Sequence, residues 1–127
     1  MKKNNKKIDW RSICPISSSL DVLGDKWSLL IIRDLIIHES RTYSQFLQSP
    51  EQIATNILAS RLNLLSHLKL IERVNLKSAS RNNAYRLTKG GEALKPIIKS
   101  LGKWAGEYLY EFNPKMLKTM TFDFTIK

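Results

Sequence analysis

The chain has 127 residues, 43% of them hydrophobic, and carries a formal net charge of +10 at pH 7. That size and composition fit one folded domain, and disorder is not the default reading. They also exclude a membrane span, which needs roughly 18 consecutive apolar residues; the longest run here, Leu29–Ile32, is four residues long.

The first residues, Met1 to Lys7, are basic but no apolar stretch follows them. A secretory signal is therefore not expected, and the expected location is the cytoplasm. The single cysteine, Cys14, has no partner within the chain for a disulfide, which suits a reducing compartment. Neither it nor His38 or His67 has a neighbour at metal-ligand spacing, and no metal or cofactor is expected. Residues 1–12 are expected as a flexible basic arm, 13–113 as the folded domain and 114–127 as a C-terminal tail.

Pro15 suits the first turn of a helix that ends at about Leu23, before Gly24. From Lys26 to about Ile37 the apolar positions Trp27, Leu30, Ile31 and Leu35, with Ile32 and Ile36 beside them, predict a helix buried on most sides. Thr42-Tyr43-Ser44-Gln45 reads as a capping box that opens a short helix, stopped by Ser49-Pro50. After a turn at Glu51-Gln52-Ile53, a helix is predicted from about Ala54 to Leu68. Leu58, Leu62 and Leu65 line its inner face. Thr55, Asn56, Ala59, Ser60 and Asn63 lie on the other side.

Two alternating stretches follow, Arg73–Leu76 and Ala84–Leu87, separated by the polar, basic segment Lys77–Asn83. Thr88 is placed to cap one long last helix running to Asn113-Pro114. Its apolar positions Leu94, Ile97, Ile98, Leu101, Trp104 and Tyr108 recur at 3- and 4-residue steps. In a domain this small such a stripe completes its burial against a second copy, so these six residues are the expected dimer interface; ordinary core packing is the competing reading. Trp27 and Trp104 are read as core in preference to ligand-stacking residues. The tail residues Thr121–Ile126 alternate like a strand.

Position gives the charge its meaning. Between residues 40 and 90 the basic residues are Arg41, Arg61, Lys69, Arg73, Lys77, Arg81, Arg86 and Lys89, opposed only by Glu51 and Glu72. A positive surface attracts phosphate backbones. A helix face of small and amide side chains without carboxylates approaches base edges, where Asn pairs with adenine and Ser or Thr reach bases or phosphates. The DNA-binding candidates are Thr42, Thr55, Asn56, Ala59, Ser60, Arg61 and Asn63 with Lys77 and Arg81 of the basic loop. A solvated helix face and a solvated loop are the alternatives, and for Arg61 an intramolecular ion pair weighs equally with a phosphate contact.

Taken in order, these fragments resemble the HxlR-type regulators, a MarR-related branch of winged-helix proteins, over about residues 13–110. The resemblance rests on Cys14-Pro15, Leu20–Gly24, Lys26-Trp27 opening the apolar helix, Ile57-Leu58 with Arg61-Leu62, Leu70–Arg73, Tyr85–Thr88 with Gly91, and Trp104. It departs from the family at Ala54, where a serine cap is common, and at Leu68-Lys69, where an Asp-Gly pair is usual. It implies a mostly α fold with a small β-hairpin wing, a winged helix-turn-helix. It further implies a homodimer, formed largely by the N-terminal and long C-terminal helices, on an inverted-repeat operator in double-stranded DNA, more often a repressor than an activator. Several such regulators sense oxidants or electrophiles through a cysteine at the place of Cys14. A helix start and nearby cations (Lys6, Lys7 and Arg11) favour the reactive thiolate, whereas a packed, inert thiol is the other reading.

A protein-interaction adaptor that does not bind DNA is the rival function, and would expect an acidic or apolar outer helix face. An enzyme is not expected, because no nucleophile–base pair, paired carboxylates or phosphate-binding glycine loop is present. The operator and any small-molecule effector are not readable from the chain.

Overall fold

The computed structural model describes residues 7–75, 77–78 and 82–116. Within them the order is α1 (Pro15–Leu23), α2 (Ser28–His38), β1 (Arg41–Thr42), α3 (Tyr43–Phe46), α4 (Thr55–His67), β2 (Ile71–Arg73), β3 (Ala84–Leu87), α5 (Lys89–Glu92) and α6 (Lys95–Tyr108). The expected strand at Thr121–Ile126 lies outside the described residues.

Helix α2 is the centre of the domain: Ile31, Ile32, Leu35 and Ile36 are all buried. Phe46 from α3, Leu58, Leu62 and Leu65 from α4, Ile71 from β2, and Leu94 and Ile98 close one core around it. The three α4 leucines are each 2% exposed or less. Burial of that degree contributes about 2 kcal/mol per side chain, which fixes which face of α4 turns inward.

The start of α2 is two residues later than its apolar pattern suggests. The Asp25 carboxylate accepts the amide hydrogens of Trp27 (2.9 Å) and Ser28 (3.0 Å) and the Ser28 hydroxyl (2.6 Å), closing a turn before the helix. The capping box at α3 is present as expected: Thr42 Oγ1 accepts from the Gln45 amide and Gln45 Oε1 from the Thr42 amide.

At the end of α4, Leu70 N donates to Leu65 O and Lys69 N to Ser66 O, both at 3.0 Å. This pair of bonds places Lys69 at φ 64°, a conformation that suits glycine and strains a residue with a side chain by about 1 kcal/mol. The turn thus keeps its usual form and carries the strain.

The sheet is three-stranded and antiparallel, in the order β1-β3-β2. β1 has two residues, too few for an alternating pattern to be visible, and it pairs Arg41 with Tyr85 and Thr42 with Ala84. The second strand is Ile71–Arg73, earlier than the expected Arg73–Leu76, and its register sets Ile71 opposite Leu87.

The single long C-terminal helix is corrected to two. Thr88 caps α5, its hydroxyl accepting from the Gly91 amide at 3.2 Å, and the chain then turns at Ala93-Leu94. Pro96 imposes this break, since it has no amide hydrogen to donate and its ring would strike the carbonyl four residues back. α6 ends at Tyr108, and turns carry the chain on to Asn113.

Candidate nucleic-acid interface

The turn between α3 and α4 is held by charge. Arg33 donates to both oxygens of Glu51, at 2.8 and 3.0 Å, and to Asp34 Oδ1. Arg41 reaches Asp34 Oδ2 and Ser49 Oγ, each at 3.2 Å, and the Ser49 hydroxyl donates to the same carboxylate. The Arg33 hydrogen bonds hold the Glu51 carboxyl below its ordinary range, against the smaller opposing effect of burial, and Glu51 raises Arg33 in turn. The one acid beside the α4 start is therefore neutralised within the chain. From the other side, the Tyr43 hydroxyl donates to Thr55 O at 2.8 Å.

On α4, Thr55, Asn56, Ala59, Ser60 and Asn63 are all exposed, and the helix carries no acidic residue. Ala54 stands at its N-cap without a side-chain bond to the first-turn amides. Thr42 is half-buried and occupied in capping α3.

Arg61 is bonded within its own chain. Its Nε donates to Ser28 Oγ (2.9 Å), its Nη2 to Val22 O (3.0 Å), and it pairs with Asp25 Oδ1 at 3.2 Å. With its side chain 20% exposed, Arg61 faces the corner between α1 and α2, and the intramolecular reading holds. Although burial pushes the Asp25 carboxyl up, the Ser28 hydroxyl, the Trp27 amide and the Arg61 charge together pull it below its usual range.

Beyond β2, Asn83 bonds to Asn75 and Ser78 on the far side of the basic loop. It is 9% exposed, its amide nitrogen donates to Asn75 O (2.7 Å) and Ser78 O (3.0 Å), and its oxygen accepts from Asn75 N (3.0 Å). One of two adjacent asparagines before a strand has no distinguishing mark in sequence, so Asn83, like Asp25 and Tyr43, was not expected as a site-building residue. Lys77 is exposed, with its amide bonded to Asn75 Oδ1. Arg81 lies outside the described residues.

The C-terminal stripe divides in two. Leu94 and Ile98 are core residues of their own chain, which removes them from the surface. Ile97, Leu101, Trp104 and Tyr108 are 50–63% exposed on one side of α6, so Trp104 is not core packing. At the other end of the chain α1 buries none of its residues, and Trp10, Ile13, Ile16 and Leu20 are exposed.

Cys14 is the exposed N-cap residue of α1, with its carbonyl accepting from Ser18 N at 2.9 Å. Arg11, expected to lend charge to the thiol, instead pairs with Asp21 through its side chain and amide. Among the described residues no group of three His, Cys, Asp or Glu is placed to hold a metal, and no helix is long and apolar enough to cross a membrane.

An eight-residue connection joins α3 to α4, and an antiparallel hairpin follows α4: the protein is a winged helix-turn-helix. Residues 22–113 match the HxlR-like helix-turn-helix family, and the chain belongs to it. It is 34% identical over 100 residues to MT3179 of Mycobacterium tuberculosis, an uncharacterised HTH-type transcriptional regulator. That match covers 74% of this chain and 58% of the mycobacterial protein, so the chain spans little more than half of that relative. Among solved structures, PA1607 superposes with a TM-score of 0.67 at 37% identity, over 77% of this chain and 67% of its own. Quinone-bound YodB of Bacillus subtilis, a transcriptional regulator, gives a TM-score of 0.63 at 28% identity, covering 76% of this chain and all of that one. The family is one of helix-turn-helix transcriptional regulators.

Proposed function

We propose that the chain acts as a homodimeric repressor on an inverted-repeat operator in double-stranded DNA. Helix α4 enters the major groove and the loop around Lys77 and Arg81 follows the flanking minor groove. The observation that carries this reading is the outer face of α4, where five small or amide residues are exposed without a carboxylate among them. An adaptor surface would be acidic or apolar. The exposed apolar face of α6 supplies a surface for the second copy, and half-site centres about one helical turn, roughly 10 bp, apart match such a dimer. Repression follows if the bound dimer covers a promoter, and deletion of the gene then raises transcription from it.

The test is selection of bound fragments from genomic DNA, followed by titration of variants on the selected duplex. Asn56→Ala or Ser60→Ala is expected to cost about 1–3 kcal/mol on the operator and to relax base preference. Lys77→Ala or Arg81→Ala is expected to weaken all duplexes alike and to lower the salt slope by about one. Four variants that bind like the parent would remove this surface from the groove.

We also propose that Cys14 reports electrophiles. Its thiol is exposed at the start of α1, and YodB, a relative of similar fold, has been captured with a quinone. The reaction is addition of the thiolate sulfur to a ring carbon, forming one C–S bond while the ring takes up a proton. Benzoquinone is expected to lower operator affinity about tenfold, equivalent to 1.4 kcal/mol, in the parent and not in Cys14→Ser. Equal affinities before and after treatment would leave Cys14 an ordinary surface thiol.

A further inference from the structure

We infer that Arg61 is a positioning residue for DNA binding, fixing the recognition helix to the α1–α2 corner without contacting the nucleic acid. The inference rests on the DNA-binding reading above and assigns the one strongly basic side chain of α4 a task other than phosphate contact.

Three acceptors from three short segments converge on one guanidinium. Val22 O belongs to the last turn of α1, Asp25 Oδ1 to the connection, and Ser28 Oγ to the first residue of α2, at 3.0, 3.2 and 2.9 Å. The same Asp25 carboxylate starts α2 through the Trp27 and Ser28 amides. Arg61 therefore bonds directly to α1 and to Asp25 and Ser28 of the turn that sets the direction of α2. The Ser28 side chain is fully buried, which leaves its hydroxyl no water to take the place of the guanidinium. Only a planar fork meets acceptors in these directions together; an ammonium offers one point of charge.

The placement along α4 gives this tie its leverage. Arg61 follows Ser60 and precedes Asn63, so Ala59, Ser60 and Asn63 sit within one helical turn of the anchor and Thr55 and Asn56 within two. Leu58, Leu62 and Leu65 hold α4 against the core by apolar contact, which is non-directional and tolerates small slides. The hydrogen bonds of Arg61 are directional and fix the rotation and axial position that apolar packing leaves loose. The bond to Val22 O also ties the last turn of α1, the helix capped by Cys14, directly to the recognition helix.

Arg61→Gln, Arg61→Lys and Asp25→Asn, each in the full chain, are titrated against the selected operator and an unrelated duplex over a range of salt, with thermal melts alongside. Arg61→Gln is expected to lose about tenfold on the operator, the order of a lost charge-assisted hydrogen bond. Its affinity for unrelated DNA and its salt slope should stay those of the parent. Asp25→Asn, which leaves Arg61 itself in place, should shift the same ratio in the same direction by less, and Arg61→Lys should not restore it. A salt slope reduced by about one in Arg61→Gln, with equal loss on both duplexes, identifies a phosphate contact and overturns the inference. So does parental affinity in all three variants. If Arg61→Gln does not fold, an unchanged specificity ratio in Asp25→Asn is itself overturning. A parent that prefers no duplex overturns the DNA-binding reading as well, whereas a failure confined to the variants overturns this inference alone.

Discussion

Gly91→Ala is expected to destabilise the chain by about 3 kcal/mol, the upper part of the usual range for forcing atoms into a packed site. A Cβ on Gly91 would stand 2.1 Å from Leu70 O and 2.9 Å from a methyl group of Leu87. The carbonyl has little freedom to retreat, since Leu70 O also accepts from Thr88 N at 3.1 Å and Lys69 O accepts the Thr88 hydroxyl at 2.7 Å. These bonds fasten the exit of α4, where Lys69 is already strained, to the start of α5. For a domain of about 100 residues the loss corresponds to a fall in melting temperature of roughly 12 °C or more. Gly90→Ala is the control, because its Cβ would meet nothing closer than 3.5 Å. Calorimetric melts of the two variants decide the matter: equal midpoints would mean that the close approach at Leu70 O does not exist in solution.

Leu101→Glu or Trp104→Glu is expected to convert the proposed dimer to monomers and to reduce operator affinity about a hundredfold. The magnitude follows from linkage: two half-site contacts held in one particle bind more tightly than separate ones by about 10²–10⁴. Both side chains are about half exposed within the single chain, so a carboxylate there costs the subunit fold little. Across a paired face the same carboxylate would be buried without a partner, which is costly. Ile98→Glu is expected to behave differently, since Ile98 is a core residue and its replacement should lower the melting temperature first. Sedimentation at micromolar concentration provides the test. Leu101→Glu and Trp104→Glu chains that sediment like the parent and bind operator equally well would show that α6 is not the contact between copies.

The elements themselves were largely legible along the chain, because their signals are local. Thr42 and Gln45 satisfy each other across three residues. Leu58, Leu62 and Leu65 declare one face of α4 within two turns, whereas the apolar spacing runs across the break before α6 and suggests one helix where the structure has two. The outward set Thr55, Asn56, Ala59, Ser60 and Asn63 follows from the same periodicity by exclusion, and all five are exposed. Tertiary structure alone decided what the ambiguous residues do. Arg61 finds Ser28 and Val22 across 33 and 39 positions of sequence, and Arg33 finds Glu51 across 18. The apolar stripe of the last helix carries no internal mark separating Leu94 and Ile98, which the core takes, from Ile97, Leu101 and Trp104, which it leaves outside. Helical spacing states which residues share a face, while burial and charge pairing depend on what the folded chain brings opposite that face.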